Sequence, residues 1–480
     1  MAPTVKARNL GQSAAALAVV VLSVHAGSGA TDSQRLDRFL RSEMQFNGIP
    51  GLSLAIVEDA RVSYVRAYGV RNGESRSAMQ VDTPTDLASV SKAFTALGLL
   101  RLEREGTIDL GLAASTYLPE LEGAAWQGVT VRDLIRHRSG LRRRHDFLVP
   151  CCSEAGLDLA AAERRLAQSD LESPGGATFS YANSNYVLLA AIVQRMSGVP
   201  FPRYMREQVF EPLGMHRTKV IEHPDRSSDD AFPHERQWGR IRVSPSRFLG
   251  WYGSSQVKAS AEDMGTYMAA LMRPKPLDIS VPERGPWWDR LEPEYDLGWN
   301  VSEEAEWLNG ELVLEHTGSL WGADTAVALA PRRGLGAAVL INAGTSRAQP
   351  IARAIVRKLR GTPLPDAERS SRFESPDTWS QVFLASAAVL FVASMWRARQ
   401  LIRQIRAGTR AWSWNVGRAV RAAILTSLAI VLMTVIFGSS QPPLAALPTT
   451  IQTALPALSA SVSALLVVAA AVGLAPPRRP

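Results

Sequence analysis

Ser89 and Lys92 stand three positions apart in Leu87-Ala88-Ser89-Val90-Ser91-Lys92, at the entry to a stretch with helical periodicity. Residues i and i+3 of a helix share one face, so a serine hydroxyl and a lysine amine at this spacing can share a proton. An unaided serine is a poor nucleophile, and a neighbouring base is what acyl-transfer chemistry asks of it. Ser91 lacks the spacing, which singles out Ser89. A helix N-terminus there would add free backbone N–H groups and a partial positive charge, both suited to an oxyanion. Taken alone, the same residues also describe a solvated lysine beside a capping serine.

Two further groups narrow the choice. Tyr181-Ala182-Asn183 lies just before a helical run from Val187 to Met196. A tyrosine near a lysine ammonium can have its pKa lowered and act as a general base. Glu315-His316-Thr317-Gly318-Ser319 ends an expected strand, where Gly318 would let a substrate come close to the backbone. There is no G-x-S-x-G elbow, no His-Glu-x-x-His and no Cys/His cluster. An α/β-hydrolase and a zinc peptidase are therefore disfavoured, and neither metal nor cofactor is expected.

The elements that must hold these groups follow from hydrophobic spacing. Asp32 to Gln45 has a helical pattern. Gly51 to Val57 and Val62 to Val70 read as a hairpin turning at Glu58-Asp59-Ala60-Arg61. A helix is expected from about Val90 to Arg104. Thr130-Val131-Arg132-Asp133 and Ser260-Ala261-Glu262-Asp263 carry helix-opening signatures. From about Asp296 the pattern turns to strands at Leu297-Gly298-Trp299, Leu312 to His316, Thr325 to Leu329 and Gly336 to Ile341. Pro331 to Gly334 forms a turn, and a helix from Gln349 to Leu359 closes the domain. Strands at both ends with helices between them predict an α+β fold, one antiparallel sheet covered by helices.

The formal net charge of +8 invites a nucleic-acid reading, but its distribution excludes one. Beyond Asp377 there is no Asp, Glu or Lys, yet there are nine Arg: Arg397, Arg399, Arg403, Arg406, Arg410, Arg418, Arg421, Arg478 and Arg479. The first thirty residues add Lys6 and Arg8 and no acid. Without these eleven, 31–377 holds 42 basic and 45 acidic residues. Lys6 and Arg8, the apolar run from Ala14 to Val24 and Ser28-Gly29-Ala30 read as a signal peptide over 1–30, with Val24-His25-Ala26 a second cleavage site.

A proline-bearing linker, 362–378, precedes a membrane region, 379–480, with three apolar runs near 380–396, 419–437 and 457–475. Seven Arg lie in 397–421, at the junction of the first two runs, and Gly438 to Pro456 carries no charge. By the positive-inside rule, the 397–421 loop and the C-terminus face the cytoplasm and the main domain lies outside. That agrees with the leader and predicts a bacterial-type cytoplasmic membrane, with lipid as partner to the C-terminal helices. The two cysteines, Cys151-Cys152, are adjacent and make no disulfide framework.

With these motifs in order, 31–361 resembles the serine β-lactamase-related family: class C β-lactamases, D-alanyl-D-alanine carboxypeptidases, D-aminopeptidases and related esterases. Leu134 to Leu141, Glu211-Pro212-Leu213-Gly214-Met215, Ala261-Glu262-Asp263 and Leu297-Gly298-Trp299 extend the resemblance. It implies a β-lactamase/transpeptidase-like sheet with flanking helices and a helical subdomain. It also implies Ser89 as the acylated nucleophile, Lys92 and Tyr181 as its acid–base pair, and Asn183 as a ligand of the substrate amide. The Ser89 and Ser319 backbone N–H groups would form the oxyanion hole. His316, Thr317 and Gly318 would line the substrate site, with His316 and Thr317 on a substrate carboxylate. His137 would be structural.

Many β-lactamases have lysine where this chain has His316, and a histidine is mostly neutral at pH 7. The expectation is therefore a peptidase or esterase acting on a small peptide, amide or ester, including cell-wall-derived ones, with weak β-lactamase activity. Ser254-Ser255-Gln256-Val257 also lacks the paired glycines common before the Ala-Glu-Asp helix. The alternative is a catalytically weak penicillin-binding sensor or scaffold of the same fold. The intact set of Ser89, Lys92, Tyr181 and Asn183 favours catalysis.

Overall fold

A computed structural model describes residues 32–366 except 150–157, 223–226, 238–239, 245–250, 274–285 and 321, together with isolated helical positions between 385 and 407. The leader, Cys151-Cys152 and the second and third apolar runs lie outside the described residues. Of the first run, only Ala385, Val392 and Trp396 are described, and they are helical and exposed. Among the described residues no helix is long and apolar enough to cross a membrane.

The chain opens with helix α1 (32–47), followed by β1 (Gly51–Glu58) and β2 (Arg61–Asn72). Their turn has Asp59 and Ala60 both at positive φ, the conformation that suits the twist of a two-residue hairpin. Short strands β3 (Ser77–Ala78) and β4 (Thr85–Asp86) lead into α2 (Ser91–Arg104). The helical region holds α3 (Val131–Ile135), α4 (Leu159–Ala167), α5 (Asn183–Ser197) and α6 (Phe201–Met205). Then come β5 (Lys219–Val220), β6 (His234–Gln237), β7 (Arg240–Val243), β8 (Val257–Ala259) and α7 (Ala261–Leu271). Five strands, β9 (Glu294–Asp296), β10 (Trp299–Ala305), β11 (Glu311–Leu320), β12 (Ala323–Ala330) and β13 (Leu335–Ile341), precede α8 (Ala348–Leu359).

Eight strands form one antiparallel sheet in the order β3-β2-β1-β13-β12-β11-β10-β9. The first long strand and the last pair at its centre, from Leu52 opposite Ile341 to Val57 opposite Gly336. Both faces of β1 are covered, which is why Leu52 to Val57 is apolar but for Ser53. Leu52, Leu54 and Ile56 pack with α1 and α8, whereas Ala55 and Val57 face the helical region with Leu314, Val327 and Leu340.

Two expectations are corrected. Leu297 and Gly298 are not strand residues. Both have positive φ and make the turn between β9 and β10. Strand β11 does not end at His316 but runs on to Leu320, because β12 continues to pair with it as far as Ala323. The expected capping at Thr130 is present, with Thr130 Oγ1 accepting from Asp133 N and Asp133 bonding back to Thr130 N. Ser260 likewise caps α7 by accepting from Asp263 N.

Candidate active site

Ser89 sits in a 3-10 turn, Ala88–Val90, that runs directly into α2. The turn is pinned from behind: Leu87 N donates to Val257 O at 2.9 Å, and Ser91 Oγ accepts from Val257 N at 3.0 Å. Ser91 is thus fully buried and committed to structure, while Ser89 is half-exposed. Ala88 adopts φ +47°, an uncommon conformation for a residue with a Cβ and one often retained where a site must aim a side chain.

Two glycines let other chain segments close on this turn. A Cβ on Gly318 would lie 2.1 Å from Leu87 O, and one on Gly298, at φ +82°, would lie 2.4 Å from Ala93 N. Gly318 therefore makes room for the turn that carries Ser89.

Lys92 is fully buried, and its Nζ has three oxygen partners: Ser89 Oγ at 3.2 Å, Asn183 Oδ1 at 2.8 Å and Ser254 O at 3.0 Å. The rings of Tyr181 and Tyr186 flank it at 4.9 and 5.6 Å. Burial pushes the ammonium pKa down to about 7, against a raising contribution from Asp146. The neutral amine is therefore well populated near neutral pH. Asn183 Oδ1 and Ser254 O can only accept, so the lone pair of a neutral Lys92 has one hydroxyl to turn to, that of Ser89. The carbonyl of Ser254 thus serves the site despite the missing glycine pair.

Tyr181 precedes α5, and its hydroxyl lies beside Ser89. The loop is held by His137, whose ring lies 4.4 Å from that of Tyr181 and whose Nδ1 accepts from Ala182 N at 3.3 Å. The expected lowering of the Tyr181 pKa does not occur. Burial dominates and raises it, so the hydroxyl keeps its proton while Lys92 gives its own up. His137 is buried at φ +55° and also faces Asn185 Nδ2 at 3.0 Å, a structural hub as expected.

His316 is buried beside Tyr295. Its Nδ1 donates to Thr317 O at 2.7 Å, which fixes the tautomer and leaves Nε2 to accept from Tyr295 Oη at 3.1 Å. Burial, then the nearby Lys92, pushes its pKa down to about 3. Both ring nitrogens are thus engaged within the protein. Thr317 and Ser319 alternate with it and are exposed. Strand β10 pairs with β11 only as far as Glu315, so β11 beyond that point lacks a β10 neighbour.

The structure thus brings Ser89, Lys92, Tyr181 and Asn183 together, with His316 and Gly318 packed around them. Sequence reading missed three participants: the Ser254 carbonyl, Tyr295 and Asp146. Buried Asp146 accepts from Asn183 Nδ2 at 3.1 Å and from Ser184 N at 2.8 Å. Nothing in the spacing of Arg142-Arg143-Arg144-His145-Asp146 marks it, since its partners lie about forty positions away.

The Beta-lactamase family model matches residues 36–360. Protein flp of Staphylococcus aureus (strain COL) is 26% identical over 321 residues, covering 64% of this chain and 63% of that protein. A D-aminopeptidase of Brucella anthropi is 28% identical over 300 residues, covering 61% and 56%. The chain thus spans less than two thirds of either curated relative. Among solved structures, the octameric penicillin-binding protein homologue from Pyrococcus abyssi aligns with a TM-score of 0.58 at 24% identity, covering 74% of this chain and 81% of that one, a likeness of fold.

Proposed function

The chain belongs to the Beta-lactamase family, and on that footing we propose that it is a membrane-tethered, extracytoplasmic serine hydrolase working through a Ser89 acyl-enzyme. The substrate class is a D-amino-acid peptide, amide or ester. The similarity to a D-aminopeptidase supports that class, and the neutral, internally bonded His316 argues against efficient capture of a β-lactam carboxylate.

One observation carries the mechanism: of the three groups on Lys92 Nζ, only Ser89 has a proton to give. Neutral Lys92 takes that proton as Ser89 Oγ bonds to the substrate carbonyl carbon. The oxyanion formed lies toward the backbone N–H groups of Ser89 and Ser319. As the carbon–nitrogen or carbon–oxygen bond breaks, the leaving group takes a proton through the Tyr181 hydroxyl, which Lys92 replenishes. Water then attacks the ester, giving its proton to the same pair, and Ser89 leaves as the hydroxyl. Asn183 offers its second N–H to the substrate amide. The location rests on the leader pattern and on the Arg-only flanks of the C-terminal runs.

The test is intact mass of the purified protein after a fluorophosphonate, beside a panel of esters, D-amino-acid amides and penicillins. One adduct per chain, lost in Ser89→Ala, with turnover of esters or D-amides, is the expected result. Labelling that survives Ser89→Ala would sink the nucleophile assignment, and rapid penicillin turnover would sink the substrate preference.

A further inference from the structure

Asp146 is a buried carboxylate in the 3-10 segment Arg143–Leu148, with no place in the chemistry above. One oxygen, Oδ1, takes the Ser184 backbone N–H and the Ser184 hydroxyl, and the other, Oδ2, takes Asn183 Nδ2. A backbone N–H can only donate, so Oδ1 is committed to α5. Among the described residues Oδ2 is then the acceptor aimed at the Asn183 amide, and a carboxylate accepts only from the nitrogen end. The oxygen end must face the other way, onto Lys92 Nζ.

We infer that Asp146 is a positioning residue for the Ser89–Lys92 pair: it fixes which end of the Asn183 amide faces Lys92. This rests on the acyl-enzyme reading above. Were the amide reversed, an N–H would confront Lys92. It would oppose the ammonium donor for donor, and in the neutral state it would claim the lone pair that otherwise turns to Ser89. The charge of Asp146 also works to raise the Lys92 pKa against the lowering by burial, while burial raises the carboxyl's own. The other groups around Lys92 are Tyr181, Tyr186, His137 and His316, two hydroxyls held protonated and two imidazoles held neutral by burial. On the side of Asp146 stand His145 and Arg143, while Arg142 and Arg144 turn to Glu172.

The experiment is the pH profile of kcat/KM for an ester substrate in four proteins. In Asp146→Asn the oxygen stays on Ser184 N, the new NH2 faces Asn183, and the Asn183 amide reverses. The plateau should fall about 10- to 100-fold, as for a misplaced catalytic group. The acid limb should move about one pH unit lower with the lost charge. In the exchange variant Asp146→Asn/Asn183→Asp, each hydrogen bond has a donor and an acceptor again, so the fold is retained. With a carboxylate directly on Lys92, its limb should move above the wild-type position.

Ser184→Ala removes one bond to Asp146 but leaves the carboxylate on Asn183. Its melting temperature should fall with no movement of the limb. Acid limbs unmoved in both Asp146 variants would overturn the inference. Fluorophosphonate labelling that disappears in Ser89→Ala keeps that outcome separate from failure of the acyl-enzyme reading.

Discussion

Tyr295 Oη lies 3.1 Å from His316 Nε2 and donates to it, so this histidine is a neutral acceptor. With its pKa near 3, it does not titrate over the working range, whereas Lys92, near 7, does. Activity should rise with pH through a limb near 7 as Lys92 loses its proton. In His316→Asn the limb should keep its place, whatever happens to the plateau. Ester hydrolysis from pH 5 to 9 checks this, and a limb that vanishes with His316 would transfer the base assignment to the imidazole.

The burial that activates Lys92 also costs stability. Its folded pKa, about 7, lies below the unfolded value of roughly 10.4. Below pH 7 the lysine is charged in both states and the cost of burying the charge is fully present. Between about 7 and 10 the unfolded chain binds the extra proton, so this residue makes stability rise with pH. Thermal melts at pH 7, 8 and 9 should show a steeper rise in wild type than in Lys92→Met. Equal slopes would mean that Lys92 is not neutral in the folded state.

Ser89 and Ser91 are two residues apart but differ in role. Ser91→Ala leaves the buried Val257 N–H without its acceptor, at a cost of about 1–3 kcal/mol. It should lower the melting temperature yet still take up a fluorophosphonate at Ser89. Ser89→Ala should show the reverse, a small change in melting and no label. Intact mass and a melting curve on each variant separate the two.

Glycine at 318 and 298 is a matter of room. Gly318→Ala places a methyl against Leu87 O and must displace the nucleophile turn, an overpacking cost of about 1–3 kcal/mol. Its kcat should fall more than its stability predicts. Gly106→Ala is the control for backbone strain: its φ is positive (+71°), as that of Gly298 is, but its Cβ would meet nothing within 4 Å. It should cost stability through backbone strain alone and leave kcat unchanged. Similar losses of kcat in both variants would refute the close-approach argument.

The elements were legible where local chemistry decides them. The apolar run and turn of the first hairpin, the caps at Thr130 and Ser260 and the apolar spacing of α8 all follow from residues within a few positions of each other. Ser89, Lys92, Tyr181 and Asn183 were legible because their spacing and order constrain geometry. What could not be read is what depends on surroundings. The direction of the Tyr181 pKa depends on whether burial or charge prevails, and burial prevails. The partners of His316 come from Tyr295 and from its own strand. Asp146 and the Ser254 carbonyl gain their meaning only when segments distant in the chain meet. Likewise Leu297-Gly298 has a strand-like composition, and only the packing of Gly298 against α2 explains why it turns.

The pairing of β1 with β13 has a consequence for how the domain is made. Leu52 meets Ile341, a partner about 290 residues further along, so closing the sheet waits on almost the whole domain and assembly should be slow. Until then Leu52 to Val57 is an apolar strand with one open side, the kind of edge that recruits other chains. Chains broken off anywhere before Leu335 should therefore aggregate rather than persist as smaller folded pieces, and the final strand acts as a checkpoint for completeness.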